Sequence, residues 1–326
     1  MQSDLRKKLL EAFYEAEGEY LSGQGLADIM GCSRTAVWKH MEELRKDGYE
    51  IEAVRKKGYR LLTSPDKLSQ NSIMLGLQTK SIGKHIVYHE SLDSTQKAAY
   101  ALADKGAEEG TLVIANEQTA GKGRLLRSWH SARGTGIWMS LILRPHIPMQ
   151  DAPQLTLLAA AAIVQALEEA ADLSPSIKWP NDILINGKKV TGILTEMQAE
   201  ADSIHSVIIG IGINVNQELK DFPEEIRGTA TSLAIQAGGP ISRTEVIQAF
   251  LRKFENLYEL YIKEGFKPIK LLWESYAISL GCEIKATTLS GVLFGKAVGI
   301  TDEGVLLLQE ENGQIHRIYS ADIEIN

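Results

Sequence analysis

The sequence predicts an α+β protein of several domains: an N-terminal winged helix-turn-helix, a central mixed sheet with helices, and a small C-terminal β-barrel. Three observations predict this organisation. Residues 5–44 carry apolar side chains at helical spacing, residues 86–216 alternate β-branched runs with helical segments, and residues 281–319 contain short strands separated by turn residues. We place the domains at residues 1–65, 66–275 and 276–326, with a linker at Thr63-Ser64-Pro65-Asp66.

The first domain combines three helices with a two-stranded wing. Residues 26–30 predict a short second helix, Gly31-Cys32 a turn, and Ser33 caps a third helix. Alternation over residues 49–54 and 58–61 then predicts two strands joined by a basic tip. The apolar positions assigned to its core are Leu5, Leu9, Leu10, Phe13, Val37, Met41 and Leu44.

Basic residues concentrate on this domain, although the chain carries a net charge of -7. That charge argues against a protein that binds nucleic acid over its whole surface. A local basic face can still bind the phosphates of DNA. In this architecture the third helix reads base edges and the wing contacts phosphates. The predicted DNA-contacting residues are Ser33, Arg34, Thr35, Trp38, Lys39, Arg55, Lys56 and Lys57. The alternative is a helical domain for protein contacts, with its lysines in solvent.

The composition is typical of a soluble cytoplasmic protein. Cys32 and Cys282 are far apart and neither belongs to a C-x-x-C pair, so the sequence indicates neither a disulfide framework nor a metal site. The first residues lack the pattern of a signal peptide. The longest apolar stretch, residues 155–164, is too short to span a bilayer and predicts a buried helix opened by Pro153. We therefore expect no membrane partner.

A loop rich in glycine and cations follows an apparent buried strand at residues 111–115. Glycine lets the backbone approach a ligand closely, and N–H groups beside Lys and Arg favour a phosphate or carboxylate. The spacing fits neither G-x-x-x-x-G-K-[ST] nor G-x-G-x-x-G, because Leu126 stands at the last glycine position of the latter. A mobile surface loop is the alternative. The loop contains Gly121, Lys122, Gly123, Arg124, Arg127 and Trp129.

Residues 177–194 combine a charged segment with a hairpin. Asn186-Gly187 separates two β-branched runs and is a strong signal for a two-residue turn. Pro180 cannot donate to a strand ladder and biases the preceding residue to an extended conformation, so residues 178–182 should form a fixed approach to the first strand. The alternative is an ordinary surface hairpin with solvated lysines.

Two further segments place polar residues at the ends of strands. A strand before Asp93 leads into a helix beginning near Ser94, where good capping residues could equally serve the helix alone. Residues 206–211 are typical of a strand buried on both faces, and Gly210 and Gly212 indicate close approach by a ligand or by backbone.

The C-terminal third predicts packing elements. Ser242 and Glu245 form a capping box before a helix, and four short strands follow at residues 283–286, 292–300, 305–308 and 316–319. These strands predict a small barrel of the SH3-like kind, too small to house catalysis alone. The inward positions of the helix are Val246, Phe250, Phe254, Leu257 and Tyr261.

In their order along the chain, these motifs resemble those of the biotin-protein ligases. The matching segments are Ser94-Thr95-Gln96, Gly121 to Arg124, Lys178 to Asp182, Lys189 with Gly192 to Leu194, and Gly210 to Asn216. With its N-terminal domain, the chain resembles the bacterial branch whose members also repress the biotin operon. The resemblance implies a central sheet like that of class II aminoacyl-tRNA synthetases. The family usually carries arginine where Lys122 stands.

The resemblance also implies a reaction. The carboxylate of biotin attacks the α-phosphorus of MgATP, and a lysine of a biotin carboxyl carrier protein then attacks the biotinyl-5′-AMP. The implied catalytic residues are Lys189, Arg124 and Asp182. The implied biotin-binding residues are Ser94, Thr95, Gln118, Gly121, Lys122, Gly123, Arg124, Lys189, Gly192 and Gly210. The implied nucleotide-binding residues are Arg127, Trp129, Asn181, Lys189 and Asn214.

Regulation follows from the same resemblance: the adenylate would promote a homodimer that places two DNA-binding domains on operator DNA.

Three alternatives stay open at this point. A lipoate-type protein ligase uses the same adenylate logic, and a non-catalytic ligand-sensing transcription factor would keep the fold without turnover. The third is a DNA-binding module fused to an unrelated domain. Lys189 together with Arg124 favours the enzyme.

Overall fold

The computed structural model describes residues 2–16, 18–46, 48–63, 68–200 and 203–325. The chain divides into two compact units, residues 1–78 and 79–326. Most of the predicted linker, residues 64–66, lies outside the described residues. The three-domain limits stay predictions.

The first unit is a helix-turn-helix followed by a wing, as predicted. Leu9, Phe13, Val37, Met41 and Leu44 are buried in its core, and Leu5 packs against them. The elements are α1 (Gln2–Glu15), α2 (Gly23–Met30), α3 (Arg34–Lys46), β1 (Glu50–Val54), β2 (Gly58–Thr63) and α4 (Gln70–Met74).

Local sequence sets the ends of these helices. Gly31 ends α2 in the left-handed region, at φ 63°, where glycine has no Cβ to clash. The Ser33 hydroxyl accepts a hydrogen bond from the Ala36 amide at 3.2 Å, so Ser33 caps α3 as predicted. The tight α2–α3 turn that results presents one face of α3 to solvent.

The centre of the second unit is a seven-stranded mixed sheet. Its strand order is β3-β4-β5-β9-β8-β7-β6. β3 and β4 are parallel, and the other neighbouring pairs are antiparallel. The strands are β3 (Ile86–His89), β4 (Leu112–Ala115), β5 (Gly136–Leu143), β6 (Ser176–Lys178), β7 (Asp182–Ile185), β8 (Lys188–Glu200) and β9 (Ser203–Asn214).

Helices cover this sheet. α6 contains the predicted alanine-rich stretch, opens with Pro153 in its first turn and is buried along residues 155–164 except at the half-buried Thr156, which confirms that prediction. The longer helical stretch Met149–Ala171 has the length and apolarity of a membrane span, but 67% of its most apolar window is buried within the protein. The helices are α5 (Thr95–Asp104), α6 (Ala152–Ala171), α7 (Leu233–Ala237), α8 (Arg243–Glu264) and α9 (Phe266–Tyr276).

The C-terminal residues form a five-stranded antiparallel sheet in the order β13-β12-β11-β10-β14. Four of its strands match the predicted ones. β14 has only four residues and was missed, although it brings Asp322 toward the central sheet. The strands are β10 (Glu283–Thr288), β11 (Gly291–Ile300), β12 (Leu306–Gln309), β13 (Ile315–Ile318) and β14 (Asp322–Ile325).

Candidate functional site

One cavity of about 230 Å³ gathers nearly all the predicted ligand-binding residues. Its wall is formed by the glycine loop, the start of α5, the β7–β8 hairpin, β9 and Asp322 of β14. Gly121 lies behind this wall, where a Cβ would be 2.6 Å from the Trp129 carbonyl oxygen. The predicted residues on the wall are Ser94, Thr95, Gln118, Lys122, Gly123, Arg124, Arg127, Trp129, Asn181, Asp182, Lys189, Gly192, Gly210 and Asn214.

The β7–β8 hairpin positions the central charged pair. Asn186 and Gly187 have φ values of 50° and 74°, the positive values that a two-residue turn of the predicted kind requires. The tight turn places Lys189 beside Asp182, and their Nζ and Oδ1 atoms are 2.6 Å apart. Lys189 Nζ also lies 5.3 Å from the centre of the Trp129 ring. The lysine is therefore held by a carboxylate and an aromatic face at the cavity wall.

Paired glycines form a flat surface beneath Trp129. Gly192 and Gly212 face each other across β8 and β9. A Cβ on Gly212 would lie 2.3 Å from Trp129 Nε1, and one on Gly192 would lie 2.8 Å from the same ring. Both positions therefore need glycine because the indole occupies the space of a side chain. At Gly210 the equivalent space is taken by Gln96, whose Oε1 would be 2.5 Å from a Cβ.

Two arginines of the glycine loop reach the C-terminal sheet. Arg124 donates to Asn181 Oδ1 at 3.0 Å and to Ser320 Oγ at 2.6 Å, and Arg127 forms an ion pair with Asp322. Burial lowers the pKa of Arg124, whereas Asp322 and Asp182 raise it, and arginine stays protonated at physiological pH. The C-terminal sheet thus supplies part of the site, which the sequence had left unassigned.

The end of the cavity beside α5 is lined by neutral polar groups. Ser94 is the N-cap residue of α5, yet its side chain makes no capping hydrogen bond, so capping does not account for it. Gln118 Oε1 accepts from the Thr95 amide at 2.8 Å and lies 3.0 Å from the Thr95 hydroxyl, while its Nε2 donates to Ser131. This end suits an uncharged polar group.

Gln96 and Ser140 also line the cavity and were not among the predicted site residues. Gln96 belongs to the Ser94-Thr95-Gln96 motif, so the sequence carried a signal for it. Ser140 lies in the buried strand β5, where a lone hydroxyl among apolar residues was the available signal. Ser140 Oγ is 2.9 Å from both Thr95 Oγ1 and Gln96 Oε1.

The first unit carries a second candidate site, for nucleic acid. The predicted positions on α3 are solvent-exposed, Trp38 to 54%, and the wing residues Arg55, Lys56 and Lys57 are exposed as well. Arg60 instead donates to Glu52 at 2.7 Å, and hydrogen bonds from Tyr20 and then Arg60 hold the pKa of Glu52 below its ordinary value. The wing tip therefore presents exposed cations, of which Lys57 also lies 5.5 Å from the centre of the Tyr20 ring.

Three family profiles match the chain. Residues 88–214 match the biotin/lipoate A/B protein ligase family, residues 5–60 match an HTH domain, and residues 279–325 match the biotin protein ligase C-terminal domain. The first range contains most of the cavity residues, the second the helix-turn-helix, and the third the C-terminal sheet with Asp322 of the cavity wall.

Relatives match over the whole chain. The bifunctional ligase/repressor BirA of Bacillus subtilis is 61% identical over 325 residues, all of both chains, and that of Escherichia coli is 29% identical over 91% of this chain and 90% of its own. The solved biotin protein ligase from Aquifex aeolicus in complex with biotin and ATP is 34% identical, with a TM-score of 0.64 over 74% of this chain and 99% of its own. The chain therefore belongs to the biotin/lipoate protein ligase family, in its branch of bifunctional ligase/repressors.

Proposed function

We propose that the chain is an ATP-dependent, AMP-forming biotin-protein ligase and a repressor of biotin genes. It makes biotinyl-5′-AMP from biotin and MgATP, transfers biotin to a lysine of a biotin carboxyl carrier protein, and uses the same adenylate as corepressor. The observation that carries the proposal is the single cavity in which Lys189, Asp182 and Arg124 meet a neutral polar end.

Charge explains the first half-reaction. A carboxylate and a triphosphate repel each other, so their reaction requires cations between them. Lys189 lies between the carboxylate oxygen and the α-phosphate, where it stabilises the charge that develops as the new O–P bond forms and pyrophosphate leaves. Arg124 and Arg127 bind the phosphate from the glycine loop. Because Asp182 and the Trp129 ring hold Lys189 in place before the substrates bind, the help from this lysine is positional as well as electrostatic.

The second half-reaction requires a neutral amine. The acceptor lysine forms a C–N bond with the carbonyl carbon of the adenylate, the bond from that carbon to the AMP oxygen breaks, and the proton that the amine loses passes to water. Asp182 orients the incoming amine, because its carboxylate lies on the cavity wall and can accept a hydrogen bond from an N–H group. No covalent bond to the enzyme is needed.

We assign one end of the cavity to biotin and the other side to the nucleotide. The biotin ring lies at the end lined by Ser94, Thr95 and Gln118, because these groups form hydrogen bonds without charge. Lys122, Gly123, Gly192 and Gly210 surround its chain. The adenine side is formed by Trp129, Asn181 and Asn214, with Arg127 toward the phosphate.

Repression uses the first unit. Ser33, Arg34, Thr35, Trp38 and Lys39 enter the major groove, and the wing tip contacts phosphates. The adenylate orders the glycine loop, which favours a homodimer on an inverted-repeat operator. Operator DNA, the carrier protein and a second copy are therefore its partners, and their common location is the cytoplasm.

Two finer features of the fold belong to this proposal. The central sheet is of the kind found in class II aminoacyl-tRNA synthetases, which also adenylate a carboxylate, and its mixed strand order supports the assignment. The C-terminal strands form an SH3-like barrel, supported by five short antiparallel strands. We also propose domain limits at residues 65 and 275. The first lies in the predicted linker, and the second lies before the C-terminal strands.

The enzyme is tested by the intact mass of a biotin carboxyl carrier domain after incubation with the full chain and MgATP. Parallel reactions contain biotin, lipoate or no acid. A single biotinyl addition in the biotin reaction alone establishes the ligase and its specificity. Addition of lipoate would instead indicate a lipoate-type ligase, and no addition to a competent carrier would indicate a ligand sensor without turnover.

Repression has its own test. Affinity for operator DNA is measured with neither ligand, with biotin or ATP alone, and with both. We expect binding to strengthen when both are present. An operator affinity that the ligands do not change would contradict the corepressor role and leave the enzyme intact.

A further inference from the structure

A small cluster of oxygen atoms at the neutral end of the cavity makes more close contacts than it has hydroxyl hydrogens to form hydrogen bonds. Thr95 Oγ1 lies 3.0 Å from Gln118 Oε1, and Ser140 Oγ lies 2.9 Å from Thr95 Oγ1 and 2.9 Å from Gln96 Oε1. Each of these three contacts requires a hydroxyl hydrogen, but Thr95 and Ser140 supply only one each. One of the three contacts is therefore left without a hydrogen.

The two amide side chains cannot relieve this shortage by turning over. Gln118 Oε1 accepts from the Thr95 amide, which is a donor only. Gln96 Nε2 faces Glu196 Oε2 at 3.0 Å and the carbonyl oxygens of Ile208 and Leu194, which are acceptors only. Because both orientations are fixed, both amide oxygens point toward the hydroxyl groups as acceptors.

Three hydrogen arrangements are possible. If both hydroxyl groups donate to the amide oxygens, the Ser140 and Thr95 oxygens face each other at 2.9 Å with no hydrogen between them, which is repulsive, so two arrangements remain. In the first, Ser140 donates to Thr95 and Thr95 donates to Gln118, which fills both acceptor positions of Gln118 Oε1 and leaves Gln96 Oε1 without a donor. In the second, Thr95 donates to Ser140 and Ser140 donates to Gln96. Gln96 is then satisfied, and Gln118 Oε1 has an acceptor position free toward the cavity.

We infer that Ser140 is a specificity-determining positioning residue, which takes the Thr95 hydrogen and so frees Gln118 to accept an N–H group of the carboxylic acid substrate. This inference rests on the proposed function. A cyclic urea carries N–H donors that complete the second arrangement, whereas a dithiolane ring carries none. The closed end of the cavity therefore selects a ring that donates hydrogen bonds.

Replacing Ser140 tests whether its hydroxyl takes the Thr95 hydrogen. In Ser140→Ala the Thr95 hydrogen has only Gln118 as partner, so the ligand loses an acceptor. We expect biotin and desthiobiotin, which share the urea, to bind the full chain about tenfold more weakly by calorimetry, with an unchanged KM for ATP. Ser140→Cys keeps the side-chain volume with a poor acceptor, and it should weaken biotin binding in the same direction if the alanine variant does not fold.

A double-mutant cycle separates this role from a packing defect. In a Gln118→Ala background the acceptor is already absent, so Ser140→Ala should have no further effect on biotin affinity. Ser206→Ala is the matched control, because Ser206 is a buried serine on the neighbouring strand whose hydroxyl bonds to Gln198. Biotin affinity unchanged in folded Ser140→Ala, or an equal loss in the Gln118→Ala background, would overturn the inference. Failure of the wild-type chain to bind biotin would instead refute the proposed function.

Discussion

The indole of Trp129 lies directly against Gly212, at a distance that leaves no room for a Cβ. Gly212 faces Gly192 across the adjacent strands, so two missing side chains make one flat surface for a single ring. The Lys189 ammonium group lies 5.3 Å from the centre of the same ring. The position of the lysine is therefore coupled to the two glycines through Trp129.

Gly212→Ala should displace Trp129 and weaken nucleotide binding. The new Cβ would lie 2.3 Å from Nε1, so the ring or the strand must move. We expect a KM for ATP raised by about tenfold or more, equivalent to the 1 to 3 kcal/mol typical of overpacking. Gly239→Ala is the control, because nothing lies within 4 Å of its added Cβ. An unchanged KM for ATP would show that the position of the Trp129 indole does not affect nucleotide binding.

Lys189→Ala should greatly slow adenylate formation. A lost charge-assisted contact of about 1.5 to 3 kcal/mol corresponds to about tenfold to a hundredfold or more in rate. Pyrophosphate release with biotin and MgATP measures the step. The control is Lys188→Ala, which removes the exposed neighbouring lysine of the same hairpin. Normal adenylate synthesis by Lys189→Ala would contradict the central role proposed for this lysine.

Asp322→Asn should loosen the glycine loop of the ligand-free protein. The Asp322 and Arg127 side chains are 41% and 66% exposed, so solvent screens their ion pair and its contribution is small. We expect trypsin cleavage after the basic residues of the loop to accelerate by about twofold to fivefold. Glu324→Gln, which breaks an exposed pair on the same strand, should leave the rate unchanged.

Lys56→Ala should weaken operator binding without changing its sequence preference. Lys56 is exposed at the wing tip, where we propose that it neutralises a phosphate. Each lost phosphate contact lowers the slope of log K against log salt by about one. Titrations of operator and unrelated DNA over a range of salt concentrations measure both effects. Lys105→Ala, an exposed lysine of the second unit, is the control.

Glu255→Gln should destabilise the second unit in a pH-dependent way. Burial raises the pKa of Glu255, but hydrogen bonds from the amides of Ile82, Ser81 and Lys80 outweigh it and hold the pKa below its ordinary value. Because folding lowers this pKa, the stabilisation is complete above the unfolded value and is lost as pH falls through the folded one.

Urea unfolding between pH 3 and pH 7 measures this contribution. We expect the wild type to exceed Glu255→Gln by about 1.5 to 3 kcal/mol near neutral pH, with the difference shrinking below about pH 4. Glu259→Gln, which removes an exposed partner of Lys80, should lose far less. Equal stabilities of wild type and Glu255→Gln at pH 7 would contradict the assignment.

Local signals predicted the helices and the principal strands. The Ser33 cap, the Asn186-Gly187 turn and the buried run ending at Asn214 depend on neighbouring residues, so the sequence reveals them directly. β14 was missed because four residues contain too few alternations to define a strand.

Long-range contacts limited prediction of the site. Asp322 meets Arg127 across 195 residues, and Ser140 meets Gln96 across 44, so neither contact leaves a periodic pattern. Gly210 and Gly212 show the same limit. The sequence indicated a close approach to both, but only packing shows that Gln96 fills one space and Trp129 the other.

The hairpin that joins Asp182 to Lys189 has a further consequence for the order in which the site assembles. A two-residue turn closes within microseconds, so this charged pair can form from local contacts alone. The bond from Arg124 to Ser320 closes a loop of 196 residues, and such non-local contacts form late because they carry a large entropic cost. We therefore expect the Asp182–Lys189 pair to form before the contact of Arg124 with Ser320 during folding, so that the complete cavity wall is among the last parts of the protein to assemble.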